Sequence, residues 1–276
     1  MAMIYFIPWG DENTASSRLR VYNVLPYLKA SLELPKKYKK SDVLIIQKAL
    51  RPDEMARAQA DGAKVIYDID DNYLDKREFV TMAENADLVT VGSSYFHRWF
   101  PDAPVIDDSL DWDGTEKKLG KTNLVGWHGY GTNAYINAIA PVLENKGYKI
   151  RTIVCKEYMQ PYIDDGYDVK EWKLDTIDKD LAECDFHAFF LGDDDFSQAK
   201  GMNKLIKAWA IGVPAFVTYT PEYDRVFRES GIKGFMVRDW STHDFTQPWT
   251  PAMREYALRF HPRVIAKQWL DAIKLL

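Results

Sequence analysis

Residues 200–227, KGMNKLIKAWAIGVPAFVTYTPEYDRVF, admit few structures. Leu205, Ile206, Trp209 and Ala210 recur at helical spacing and give the stretch one apolar face. Gly212 stands where a helix ends on a left-handed residue, and Pro214 forbids its continuation. Residues 215–218 form a short apolar strand, with Pro221 and Glu222 in a polar loop at its carboxyl end. Loop, helix, turn, strand, loop is the repeating unit of an open α/β sheet, which binds ligands at the carboxyl ends of its strands. Lys200, Asn203 and Lys204 lie at the start of the helix. Free N–H groups and the helix dipole favour an anion there, and two lysines add charge, so a phosphorylated ligand suits the place. The other reading of both lysines is a solvated helix surface.

The chain repeats this unit in two series. Apolar runs at 3–7, 42–47, 64–67 and 87–91, with a brief one at 105–106, form the first. Runs at 123–127, 149–154, 169–172, 185–191, 215–218 and 234–237 form the second. Helical patterns lie between them. One follows Ser16 or Ser17 as N-cap and carries Val21, Val24, Leu25 and Leu28; one spans 52–60 before Gly62. Another follows Ser93 or Ser94 and holds Phe96, Trp99 and Phe100, and one spans 134–145. The last runs to Leu276 with Ile265, Trp269, Leu270 and Ile273 on a face. Residues 113–122, polar and glycine-containing, read as the linker. The expectation is an α/β chain of two Rossmann-like domains facing a cleft, 1–115 and 122–255, followed by a helix over 256–276.

Net charge of −5 provides no global basic field to draw the chain onto nucleic acid or an anionic bilayer. The densest basic run, LPKKYKK at 34–40, falls between a helix and a strand, at the amino end of the sheet, and reads as a solvated loop. Cys155 and Cys184 lack metal spacing and read as free thiols in a reducing, cytoplasmic setting. Residues 1–8 are apolar but short and lack a basic region, so they read as a first strand rather than a signal peptide. No apolar run approaches the roughly 20 residues that span a membrane.

Chemistry-bearing residues gather at the expected carboxyl ends. Ser17, Arg18 and Arg20 follow the first strand; Lys48 and Arg51 follow the second. The third runs into Asp68, Asp70 and Asp71, where crowding raises the pKa of at least one carboxyl unless a cation intervenes. Asp68 and Asp70 form a D-x-D, which suggests a metal, while turn capping explains the same residues without one. In the second series Gly126, Gly129 and Gly131 frame a loop holding His128, a candidate for the cleft or for a structural role. Asp193, Asp194 and Asp195 form a second acidic cluster that a cation would suit.

The stretch from Lys207 to Pro214 resembles the donor-binding signature of retaining GT-B glycosyltransferases of family 4, Glu-Ala-Met-Ala-x-Gly-x-Pro. Lys207 replaces that family's second glutamate and Ala199 its first, so the sugar and ribose contacts of the pair do not carry over. SSRLR at 16–20 resembles the family's opening loop, and residues 107–111 its close of the first domain. Asp70 and Asp71 stand where the family has a His-Asp pair toward the acceptor. The resemblance implies sugar transfer from a nucleotide-sugar, with retention of configuration and without a bound cofactor or metal. It sets 1–115 on the acceptor side and 122–255 on the nucleotide-sugar side, with the 256–276 helix packing on the first domain. It places Ser17, Arg18, His128, Gly129, Lys200, Asn203, Lys204, Pro221 and Glu222 toward the donor. Asp70 and Asp71 are its catalytic pair, with Arg20, Lys48 and Arg51 toward the acceptor. The acceptor is a glycan, a small molecule or modified DNA. Two alternatives stand beside this: a bacteriophage-type enzyme acting on a hydroxymethylated base, with Arg18, Arg20, Lys48 and Arg51 as a basic rim, and a non-catalytic nucleotide-sugar-binding protein.

Overall fold

The computed structural model describes residues 3–117, 120–131 and 135–276. Met1 and Ala2, Lys118 and Leu119 of the expected linker, and Thr132, Asn133 and Ala134 at the expected helix start lie outside the described residues. In chain order the first elements are β1 (Ile4–Ile7), α1 (Ala15–Ser17), β2 (Ala30–Ser31), β3 (Val43–Gln47), α2 (Pro52–Ala60), β4 (Lys64–Ile69), α3 (Arg77–Asn85) and β5 (Leu88–Val91). Next come β6 (Leu124–His128), α4 (Ala140–Asn145), β7 (Lys149–Val154), α5 (Met159–Asp164), β8 (Asp168–Glu171), α6 (Ile177–Ala182) and β9 (Phe186–Phe189). The chain ends with α7 (Asp195–Gln198), α8 (Asn203–Ile211), β10 (Ala215–Val217), α9 (Pro221–Ser230), α10 (Pro251–Ala257) and α11 (Pro262–Ile273). Among the described residues the strands form two five-stranded parallel sheets, ordered β2-β1-β3-β4-β5 and β10-β9-β6-β7-β8.

Two compact units result. The first holds the chain up to Asp111, with Asp194–Gly201 and Phe260–Leu276; the second holds Trp112–Asp193 and Met202–Arg259. In the first, every residue of β3 is buried, as a strand covered on both faces requires. Leu44, Ile46, Val65 and Tyr67 pack with Met55, Phe79 and Met82 on one face, where Ala199 also joins. Trp269 of α11 covers the other, 5.7 Å edge-on to Phe6, and its Nε1–H donates to the Arg20 carbonyl (3.2 Å). In the second unit Ile153, Leu181, Ile211 and Val213 form one cluster. There α8 is buried on all sides from Leu205 to Ile211, and Gly212 ends it at φ +98°.

Several local expectations yield to specific chemistry. The helix expected as far as Leu28 breaks into α1, a wide turn at Arg18–Tyr22 and a tight turn at Leu25–Tyr27. Pro26 lacks the N–H an α-helix needs there. Neither Ser16 nor Ser17 caps α1, whose N-cap is Thr14 without a side-chain bond. Ser93 precedes a short helical turn but sends its hydroxyl to the Ala199 carbonyl (2.9 Å). Pro221 and Glu222 do not form a loop. Thr220 Oγ1 accepts the Tyr223 N–H, and proline suits the first helical turn, so both residues open α9. On α11 the buried stripe is Ile265, Ala266, Trp269 and Ala272, while Leu270 is 41% exposed.

Candidate functional site

In the first sheet the strand order reverses between β1 and β3, and ligands of open α/β sheets lie at such a switch point. A polar array is built there. Trp9 N–H and Ser17 Oγ–H both donate to Gln47 Oε1 (2.8 and 3.0 Å), and Gly10 N–H donates to Ser17 Oγ (2.9 Å). Gln47 Nε2 donates to Asp70 Oδ2 (3.1 Å). The Lys48 ammonium lies 3.1 Å from Asp70 Oδ1, 2.5 Å from Asp71 Oδ2 and 3.3 Å from Ser16 Oγ. Lys200 donates to the other Asp71 oxygen at 2.5 Å. The Trp9 and Tyr73 rings flank Lys48 at 5.8 and 5.9 Å, and Phe196 lies 3.8 Å beneath Lys200.

Lys48 has φ +57°, a conformation that a residue with a long side chain adopts only when its surroundings hold it there. The ion pairs provide that hold. Burial raises the Asp70 carboxyl above its ordinary pKa, more than Lys48 lowers it. Burial acts on Asp71 in the same direction, yet Lys48 and Lys200 together hold it well below. For Lys48, burial lowers the pKa and the two aspartates more than restore it, so it stays charged. Asp70 Oδ1 is buried, and its contact is the Lys48 ammonium at 3.1 Å.

The basic rim expected beside this array is mostly absent. Arg20 is wholly buried, bidentate to Asp68 (2.8 and 2.7 Å), and also bonds the Ile106 carbonyl (2.6 Å) and Asp108 (3.3 Å). Arg18 is buried against Asp111 (3.0 Å) and the carbonyls of Glu12 and Asn13. Lys48 is 4% exposed, which leaves Arg51, at the start of α2, as the exposed member. The D-x-D reading fails for the same reason: Asp68 is committed to Arg20 and to Thr90 Oγ1 (2.8 Å). The second acidic cluster is also otherwise engaged. Asp194 caps α7 through the Ser197 N–H and hydroxyl, and Asp195 holds Tyr95 and Arg98. Among the described residues no group of three or more His, Cys, Asp and Glu is placed to hold a metal ion.

The second sheet reverses between β6 and β9, and His128 ends β6. Lys204, from the first turn of α8, donates to the His128 carbonyl (2.6 Å) and lies over the Trp127 and Phe189 rings at 5.2 and 5.7 Å. His128 belongs to the strand rather than the loop, 9% exposed, with Nδ1 buried and without a partner. Burial, reinforced by Lys204, holds its pKa well below 6.5, so the ring is neutral. A side chain at Gly129 would meet the Trp127 ring at 2.9 Å and Lys204 Nζ at 3.4 Å, which explains glycine there. Asn203 opens α8, whose first turn carries no acid. Glu222 is 1% exposed and held by Arg225 (2.8 Å), which also touches Met202 at the α8 N-cap. Lys200 pairs with Asp71 within the first unit.

Trp9, Tyr73 and Phe196 are part of these arrangements although the sequence did not single them out; Ser16, a candidate N-cap in the sequence, and Gln47, at the carboxyl end of the second strand, join them. Trp9 alone left a signal, a large aromatic between Pro8 and Gly10 just past a buried strand. Lys207, in the place of the family glutamate, is a structural residue. It pairs at 2.5 Å with Asp178, which also accepts the Asp113 N–H (2.9 Å).

No protein-family model matches the sequence, and no curated protein matches it. Solved structures do. HepE from Anabaena in complex with UDP superposes with a TM-score of 0.68 at 12% identity, covering 100% of both chains. The same protein with UDP and glucose gives 0.68 at 12% identity over 99% of each. AviGT4, a glycosyltransferase involved in avilamycin A biosynthesis, gives 0.57 at 14% identity over 99% of this chain and 97% of that one. At such identities the likeness shows the fold: two Rossmann-like parallel-sheet units, the GT-B fold.

Proposed function

We propose that the chain is a glycosyltransferase that moves a sugar from a UDP-linked donor to an acceptor hydroxyl. The observation that carries this reading is the end-to-end likeness to HepE, a protein solved with UDP and with UDP and glucose. The β6–α8 site supports it, with a lysine and the N-terminus of α8 at a switch point. In this reading the diphosphate lies at Asn203 and Lys204, beside His128 and Gly129. The bond from the anomeric carbon to the diphosphate oxygen breaks as the acceptor oxygen bonds that carbon. The acceptor bonds on the face the diphosphate leaves, which gives retention, and the departing diphosphate takes the acceptor proton, so no strong base is required. Its growing charge is met by Lys204 and the α8 dipole, with no cofactor required. Asp70 and Asp71 orient the acceptor. With Arg18 and Arg20 buried, a glycan or small molecule fits better than duplex DNA.

Incubation with a panel of UDP-sugars and simple glycoside acceptors, followed by chromatography for UDP and product, tests the proposal. UDP release that depends on acceptor is expected. UDP-sugar binding without transfer to any acceptor supports a non-catalytic binding protein instead, and absence of binding rejects both.

A further inference from the structure

We propose that the loop at 32–40 docks the protein on an anionic lipid bilayer. The loop leaves β2, the edge strand of the first sheet, and returns to β3. Residues 29–41 carry five lysines against one glutamate, in a chain of net charge −5. Lys36, Lys37, Lys39 and Lys40 are all exposed, and among the described residues no acid pairs with any of them. Elsewhere Lys64, Lys173 and Lys274 each hold an acid. Four cations packed together repel one another, so the fold must hold them in place. Arg57 of α2 donates to the carbonyls of Pro35 (2.9 Å) and Lys36 (3.1 Å). Asp61 accepts the Tyr38 N–H and Asp42 the Lys39 N–H, both at 2.9 Å. Tyr38 is buried and bonds Glu54 at 2.5 Å. The backbone is therefore pinned to α2 while the ammonium groups face water.

Leu32 and Leu34, each 38% exposed, stand beside the lysines. Exposed apolar side chains next to a polybasic run supply the two signals that stable interfacial binding requires: insertion among the headgroups and attraction to anionic lipid. Nucleic acid fits the loop less well. The run contains no arginine, and Tyr38, its one aromatic, is turned inward and cannot stack on a base. This docking is independent of the transfer reaction, since the loop lies at the amino end of the sheet and contains none of the site residues.

Co-sedimentation of the full chain with phosphatidylcholine vesicles, with and without phosphatidylserine, tests it. Binding is expected only to the serine-containing vesicles, and high salt should abolish it. Replacing Lys36, Lys37, Lys39 and Lys40 by glutamate should weaken it on the order of 100-fold or more. The milder pair Lys37→Ala and Lys39→Ala should weaken it roughly tenfold at unchanged melting temperature. Leu32→Ser with Leu34→Ser should weaken it at unchanged salt dependence. Absence of pelleting, equal pelleting with neutral vesicles, or tighter binding to duplex DNA would overturn the proposal.

Discussion

Asp70 and Asp71 are adjacent carboxylates whose surroundings push them apart. Burial leaves Asp70 with a raised pKa and one ion-pair partner, Lys48, while Asp71 pairs with both Lys48 and Lys200. Asp70→Asn therefore removes a charge that folding disfavours. Its stability should stay within about 1 kcal/mol of the parent and its donor affinity should not change. Transfer should fall roughly 100-fold, the scale of losing a positioning group. Asp71→Asn instead takes the carboxylate from Lys200 and leaves buried Lys48 with Asp70 alone, and should cost about 3 kcal/mol. Melting temperature, donor affinity and turnover on one preparation separate the two, and normal turnover of Asp70→Asn would remove it from the acceptor site. The acidic pair is visible in the sequence because like charges cluster. Its partners are not, since Lys200 lies 129 positions from Asp71 and the left-handed backbone of Lys48 follows from contacts rather than composition.

Helix α8 shows what a local pattern conveys and what it leaves out. Its apolar spacing, Gly212 stop and Pro214 appear in the structure as read, but the helix is buried on every side rather than one. Helix α10 covers it, with Arg254 donating to the Ala210 carbonyl (2.9 Å) and Tyr256 edge-on to Trp209. That cover places Lys207 in the interior, where Asp178 must neutralise it. Lys207→Met leaves Asp178 buried alone and should cost about 3 kcal/mol by denaturant unfolding. Adding Asp178→Leu should recover most of the loss. If the double variant is no more stable than the single, the pair is not the source of the effect. Proline accounts for two other differences: Pro26 interrupts an apolar period that looked helical, while Pro221 begins a helix where a loop was expected.

Across the whole molecule, the buried parallel strands were legible because both of their faces are covered and they read as unbroken apolar runs. That Asp194–Gly201 joins the first unit was not legible, since its neighbours in the chain belong to the second series. Stability should depend on pH through the second sheet. His187 is fully buried, and burial holds its pKa at about 4 against an ordinary 6.5. Below the ordinary value the unfolded chain takes up a proton that the folded chain refuses. Stability is thus full above about 6.5 and falls toward about 4, by roughly 3 kcal/mol over that window. His128 acts in the same direction and Asp70 in the opposite one. Unfolding at neutral and mildly acidic pH should show the loss, and His187→Gln should flatten it; an unchanged slope in the variant would assign it elsewhere. In the proposed function the β6–α8 site of the second unit holds the diphosphate of a sugar donor. Calorimetric titration of UDP into the parent and Lys204→Ala tests it most directly. Saturable binding weakened about tenfold or more in the variant is the predicted result, as loss of a charge-assisted hydrogen bond requires. No binding by the parent, or equal affinity in both proteins, would contradict it.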